Sequence, residues 1–297
     1  MSTASVGRPS FGRDLGQILL SSRPVSWINT AFPFAAAYLL TTREVDLTLV
    51  VGVVYFLIPY NLAMYGINDV FDYASDLANP RKGGIEGALL APRMHRPTLW
   101  AAALSNIPFV VYLVVVGDAW STAWLALSVF AVIAYSAPGL RFKERPFLDS
   151  TTSSLHFVTP AVVGLALAGA EVTTDLVLVL VAFFLWGMAA HAFGAVQDVG
   201  PDREGGISSI ATVFGARATV RLSLALWLVA GILMLFTSWP GPLAALLAVP
   251  YLVNAARWWR VTDERSGETN RAWRRFIALN YFAGFLATMI LILAWVS

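Results

Sequence analysis

The sequence predicts an all-α, polytopic membrane bundle, with nine transmembrane helices around a central cavity and a cytosolic N-terminus. Three observations predict it. The 297 residues are 58% hydrophobic and only 13% charged, with mean hydropathy +0.68; a soluble domain carries about 25% charge and about 45–50% apolar residues. Apolar stretches of roughly 17–21 residues, each long enough to span a bilayer, recur along the chain. The basic residues also separate cleanly to one side once nine spans are laid out.

Taken in order, residues 1–23 show neither an apolar core nor a small-residue cleavage site, so no signal peptide is read there. They form a cytosolic arm in which 11–21 reads as a helix lying in the interface. The spans fall near 26–42, 47–68, 98–116, 119–137, 154–170, 176–197, 219–237, 240–258 and 276–296. Pro33, Pro59, Pro108 and Pro160 lie inside spans, where they kink helices and open room for a ligand. The N-terminal arm and the loops after spans 2, 4, 6 and 8 collect nineteen of the twenty Lys and Arg residues, leaving Arg43 opposite. The positive-inside rule places that side in the cytosol and the C-terminus outside. The chain reads as one domain, 1–297, with motif regions at 66–97 and 191–217.

The absence of Cys excludes disulfides, thiolate metal sites and Cys nucleophiles. A net charge of +2 gives no reason to expect a nucleic-acid partner. Only Lys82 and Lys143 are lysines against eighteen arginines, and both stand in the motif loops.

Two acidic clusters end apolar segments: Asn68-Asp69-x-x-Asp72-x-x-x-Asp76 and Gln197-Asp198-x-x-x-Asp202. On a helix, residues 69, 72 and 76 share a face, as do 198 and 202. Carboxylates gathered beside hydrocarbon are costly unless a cation neutralises them. Mg²⁺, a hard ion that takes oxygen ligands and phosphate partners, fits that need. The pattern points to a membrane enzyme handling an allylic diphosphate, with two Mg²⁺ ions neutralising the departing pyrophosphate. Asp69, Asp72, Asp76, Asp198 and Asp202 are the expected metal-ligating acids, and Asn68 and Gln197 supply neutral oxygens or orient carboxylates. The alternative is a set of solvated helix-end acids.

Arg81, Lys82 and Arg203 stand beside the clusters and are expected at the diphosphate, Arg as a fork and Lys as a point charge. Their other reading is as positive-inside residues, which serves equally for Arg93, Arg217 and Arg221. A third motif is Tyr135-Ser136-x-Pro138-x-x-Arg141-x-Lys143. Tyr135 either faces the allylic carbon and steadies its cation or belongs to the interfacial aromatic belt. Arg141 and Lys143 are expected to hold the diphosphate. His191 lies on the face of Asp198 about two turns deeper, within reach of a pocket; His156 and His95 read as structural. A faint echo between halves, Asn68-Asp69 with Gln197-Asp198 and Arg23-Pro24 with Arg145-Pro146, hints at a duplicated four-helix unit.

These residues also carry a resemblance. NDxxDxxxD at 68–76, YSxPxxxxK at 135–143 and DxxxDxxxG at 198–206, running into Ser208-Ser209-Ile210-Ala211-Thr212, occur in order. Along nearly its whole length the chain resembles the UbiA superfamily of intramembrane prenyltransferases. Within it, GINDVFDYASDLANPRKGGIEGALL (66–90) and HAFGAVQDVGPDREGGISSIATVFGA (191–216) are most similar to the lycopene elongases of fifty-carbon carotenoid biosynthesis. The inserted stretch from Arg81 to Gly87 looks like a mark of that subgroup, whereas Tyr73-Ala74-Ser75 departs from its usual central Glu. The resemblance implies nine helices, cytosolic acidic motifs, Mg²⁺ dependence and a bacterial cell membrane. It also implies transfer of a dimethylallyl unit from dimethylallyl diphosphate to each end of lycopene. The product cation then loses a proton or captures water, with pyrophosphate, Glu86 or His191 as bases. A rod-like acceptor would enter sideways from lipid.

Two other readings stay open. One keeps the chemistry and changes the acceptor to a quinone precursor, an aromatic acid, a chlorophyll-type alcohol ester or a lipid; spans almost without Arg or Lys favour an apolar acceptor. The other is a cation-coupled transporter, whose acids belong near the bilayer midplane rather than at helix ends.

Overall fold

Residues 11–73, 77 and 89–296 are described in the computed structural model of the chain, so Asp76, Arg81, Lys82 and Glu86 lie outside the described residues. Helix α1 (Phe11–Ser21) is followed by Arg23 in the left-handed region, φ 50°, and by a single 3₁₀ turn at Pro24–Ser26 that feeds α2 (Ile28–Thr42). Asp46 caps α3 (Leu47–Leu57), accepting from the Leu49 amide at 2.8 Å. Pro59 has no N–H, so the helix breaks at Ile58 and resumes as α4 (Pro59–Phe71). Side chains bond to carbonyls at the break. Asn61 donates to Phe56 O at 2.8 Å and Leu57 O at 3.1 Å, and Thr30 donates to Phe56 O at 2.6 Å.

The next helices are α5 (His95–Val116), α6 (Ala119–Ser136) with an Asp118–Ser121 capping box, α7 (Leu148–Leu167) and α8 (Thr174–Val196). Short helices α9 (Val199–Glu204) and α10 (Ile210–Phe214) lead into α11 (Ala216–Met234). A 3₁₀ segment, Gly241–Leu247, runs directly into α12 (Ala248–Ala256), and α13 (Asn270–Val296) ends the chain. Among the described residues there is no strand.

Each predicted segment overlaps helical structure. Six stretches are long and apolar enough to cross a membrane: Leu47–Phe71, Pro92–Val116, Ala119–Ser136, Thr174–Val196, Ala216–Met234 and Asp263–Val296. Gly241–Ala256 is a shorter apolar helix. The two remaining segments are α2, of 15 residues, and α7. Helix α7 starts six residues before the predicted 154, at Leu148, because its first turns carry Asp149, Ser150, Thr152, Ser154 and His156. All five are buried, since α7 packs against α2, α6 and α8 together. A helix enclosed by protein does not need an apolar surface, so hydropathy understates it.

The apolar interior divides in two. One core joins Phe34, Tyr55, Phe56 and Tyr60 to Leu125 and Val163, all from the first half and α7. The other joins Phe193, Trp227, Tyr251 and Phe276 from the second half. Helix α7 bridges them by close approach. A Cβ on Gly164 would sit 2.7 Å from Phe34 O, and one on Gly187 would strike Ser154, so only glycine fits either crossing. Helices α5 and α13 stand outermost; large apolar side chains such as Trp100, Leu104, Phe282 and Phe285 are exposed there, as a lipid-facing surface requires.

Long-range polar contacts sort the connections to two ends. At one end Arg93 pairs with Asp14 (2.7 Å), Arg23 with Asp69 (3.1 Å), Lys143 with Asp72, and Arg203 with Asp263 (2.6 Å). At the other, Arg43 donates to Trp295 O at 3.0 Å, and Asp175 accepts from the Ser238 amide at 2.9 Å. These contacts join the arm to the connections after predicted spans 2 and 4, the connection after span 6 to that after span 8, and the turn after span 5 to that after span 7.

Candidate active site

The site is built at the first of these ends, from the last turn of α4. Asp69 is buried at 1% exposure and Asp72, which closes the helix, at 7%. Carboxylates this buried are tolerable only when cations stand beside them. Arg23 supplies one: its Nη2 lies 3.1 Å from Asp69 Oδ1 while its guanidinium covers the Tyr65 ring at 4.3 Å. Lys143 contacts Asp72 directly, and Arg141 reaches the same carboxylate at 3.7 Å. Arg141 also pairs with Glu144, and that guanidinium holds the Glu144 carboxyl below its ordinary range.

Lys143 joins the two acidic sets. Burial pushes its ammonium down to about 8, and the carboxylates of Glu144, Asp202 and Asp69 pull in the opposite direction. One side chain thus lies within the electrostatic reach of Asp202 from the second motif and Asp69 from the first. Asp69 and Asp202, one from each motif, therefore act on the same buried lysine at this end of the bundle.

In the second motif, Asp198 is the N-cap of α9 and Asp202 lies one turn on, its amide donating to Asp198 O at 2.8 Å. Gly206, with φ +71°, turns the chain back at the close of DxxxDxxxG, a conformation that favours glycine. The two amides have matching partners. Asn68 Oδ1 accepts from Ser136 Oγ at 2.9 Å, and Gln197 Oε1 accepts from Asn270 Nδ2 at 2.6 Å. Each is tied to a later helix of its own half.

Arg203, expected at the diphosphate, has partners of its own. Its guanidinium donates to Thr212 O at 3.1 and 2.8 Å and pairs with Asp263 at 2.6 Å, so its donors brace the loop rather than face the mouth. Asp263 also accepts from the Ala216 amide at 2.7 Å, fixing the start of α11. Thr212 and Ser209 cap α10 reciprocally.

Tyr135 ends α6 below the mouth, edge-on to His156 (centroids 5.2 Å apart) and to His191 (6.2 Å). It stands inside the bundle, among site residues rather than in an outer belt. Sequence reasoning missed three residues. Arg23 was visible only as half of the Arg-Pro echo, and Tyr65 gave no signal. Asp149 is wholly buried at the start of α7 and accepts from the Ser150 and Ile210 amides, both at 2.6 Å.

The donor set suits Mg²⁺: oxygen atoms alone, from Asp69, Asp72, Asp198, Asp202, Asn68 and Gln197, at a partly buried mouth. Among the described residues, no group of three or more His, Cys, Asp or Glu stands close enough to form a protein cage. Mg²⁺ needs none, since one or two carboxylates and substrate phosphates ordinarily hold it.

Comparison with known proteins identifies the family. The model of the UbiA prenyltransferase family matches residues 30–295. A lycopene elongase/hydratase of Corynebacterium glutamicum is 54% identical over 275 residues, covering 93% of this chain and 96% of that protein. The C50 β-cyclic carotenoids biosynthesis protein LbtBC of a Dietzia species is 54% identical over 97% of this chain and 68% of its own length. The fold is similar to that of a UbiA homologue from Archaeoglobus fulgidus bound to GPP and Mg²⁺, with TM-score 0.69 and 19% identity over 90% of this chain and 99% of that one. The same homologue bound to DMAPP and Mg²⁺ gives a TM-score of 0.66. With the ordered motifs on the expected helix ends and a family match across nearly the whole length, the chain belongs to the UbiA prenyltransferase family.

Proposed function

We propose that the chain transfers a dimethylallyl group from dimethylallyl diphosphate to the ends of lycopene, as a Mg²⁺-dependent elongase of long-chain carotenoid biosynthesis. The reading is carried by Lys143, which touches Asp72 and lies within the electrostatic reach of Asp202, in a chain 54% identical to a lycopene elongase/hydratase.

Asp69, Asp72 and Asn68 on one side, and Asp198, Asp202 and Gln197 on the other, would hold two Mg²⁺ ions, with Asp76 beside the first set. When bound, Mg²⁺ neutralises the charge that grows on the departing pyrophosphate. The chain's own residues do the rest. Lys143 and Arg141 exchange their carboxylate partner for diphosphate oxygens; Arg81 and Lys82, which follow the first motif in sequence, are assigned to the same diphosphate. The C–O electron pair leaves with pyrophosphate, and Tyr135 steadies the dimethylallyl cation through its ring. The apolar bundle excludes water until an acceptor alkene attacks.

Nine spans with the N-terminus in a bacterial cytosol fit the contacts at the two ends. Arg43 beside Trp295 supports an even number of crossings between them, and the arm and basic loops gathered opposite support the positive-inside assignment. The spans carry few cations, which favours a wholly apolar acceptor arriving through lipid.

Expression in a lycopene-accumulating bacterium, with mass analysis of the pigments, tests the assignment. The expected result is lycopene extended by five or ten carbons. Unchanged lycopene alongside prenylation of another acceptor would overturn it.

A further inference from the structure

Beneath the diphosphate mouth, three helices place a group of titratable side chains that donor binding does not use. His191 of α8 lies five residues before that helix ends at Val196, and Asp198 follows beyond the helix end. Its Nε2 lies 4.0 Å from Asp149 Oδ2, and its side chain is 20% accessible although it belongs to the bundle interior, so it borders an internal space. Asp149 is wholly buried, and the Ser150 and Ile210 amides fix both its oxygens. Tyr135 packs edge-on against the imidazole. His156, on the other side of Tyr135, is almost sealed at 3% exposure.

The depth matches a chemical requirement. When an acceptor alkene attacks the allylic cation, the new bond forms at one alkene carbon and the charge appears on the other, beyond the donor carbon. That tertiary cation is discharged in one of two ways. The electron pair of a neighbouring C–H bond becomes a new π bond and a proton departs, or a lone pair of water forms a C–O bond and the water loses a proton. Both need a proton acceptor near that carbon, on the bundle side of the carboxylates that end the motif helices.

We propose that His191 is the catalytic proton acceptor that discharges the product cation, with Asp149 as its positioning residue. With the Nε2 proton held towards Asp149, the Nδ1 lone pair receives the proton, and the adjacent carboxylate balances the imidazolium charge. The proton then leaves with the hydrated pyrophosphate. Tyr135 keeps the ring in place and offers its face to the cation. This rests on the lycopene reading above.

The test compares wild type with His191→Gln and Asp149→Asn in membranes, supplied with dimethylallyl diphosphate and lycopene. Pyrophosphate release and the ratio of hydrated to unsaturated elongated product are both measured. In His191→Gln, the product ratio, or the share of donor lost as dimethylallyl alcohol, should move at least tenfold per pyrophosphate released. Asp149→Asn should move it in the same direction by less. In His191→Ala, added imidazole should return the ratio towards wild type. An unchanged ratio in His191→Gln, or loss of pyrophosphate release together with product, overturns the role. A wild type that makes no elongated lycopene would instead overturn the acceptor assignment.

Discussion

The two acidic motifs end equivalent helices and carry the same residue types, yet their neighbouring cations have opposite duties. In the first, Arg23, Arg141 and Lys143 come from elsewhere in the chain and press on Asp69 and Asp72 themselves. In the second, Arg203 follows Asp202 directly but turns away to Asp263 and Thr212 O. A cation adjacent in sequence to an acidic motif thus need not press on that motif's carboxylates. A fork-shaped guanidinium satisfies carbonyls and a carboxylate together, which makes it a good brace for a loop. A lysine pushed among carboxylates is instead a movable countercharge that a diphosphate can recruit.

The largest effect should come from the carboxylates that the motifs share. Asp72→Ala and Asp198→Ala should each lower prenyl transfer by at least about a thousandfold, a loss of some 4 kcal/mol in transition-state stabilisation. Detergent-solubilised protein should still run as a single folded species. Full turnover in either variant would remove that residue from the site and break the symmetry of the two motifs.

Next in size is Lys143. Lys143→Met should reduce kcat/KM for the donor by about a hundredfold, roughly 2.7 kcal/mol, with a smaller effect on acceptor KM. The wild-type pH profile sharpens the point. Burial lowers this lysine to about 8, so its positive charge is present below that value and is lost as pH rises through it. Donor kcat/KM should fall on that alkaline limb, and Lys143→Arg should keep the plateau to higher pH.

Arg23→Met should come third, weakening donor binding about tenfold by disturbing Asp69, though the arm lies far from the motif in sequence. The smallest catalytic effect is expected at Arg203. Arg203→Met should leave donor KM within about threefold and lower stability by about 1 kcal/mol, since the pair is partly exposed. Asp263→Ala should cost more than Arg203→Met because it also uncaps Ala216. A double variant whose loss is less than the sum would show that the two act as one brace.

Much of this was legible in the sequence for a physical reason. Apolar spans follow from the lipid around them, and Asp69, Asp72, Asp198 and Asp202 stand out because charge beside hydrocarbon is rare. Helix α7 was read short because its polar start is wrapped by protein, where hydropathy carries no signal. Arg23, Tyr65 and Asp149 reach the site through packing across long sequence separations. No local pattern marks them, apart from the Arg-Pro echo at Arg23. The partner of Arg203 was hidden for the converse reason: adjacency to Asp202 in sequence gives no sign of a tertiary partner, Asp263, sixty residues on.

The most direct test is a structure of the full chain with Mn²⁺ and the slowly reacting thiolo analogue of dimethylallyl diphosphate, read by anomalous scattering. The account predicts two metal peaks about 2.0–2.3 Å from carboxylate oxygens, one at Asp69 or Asp72 and one at Asp198 or Asp202, sharing a single diphosphate beside Lys143. Metal and diphosphate seated on one acidic set alone, with the other set turned away, would contradict it.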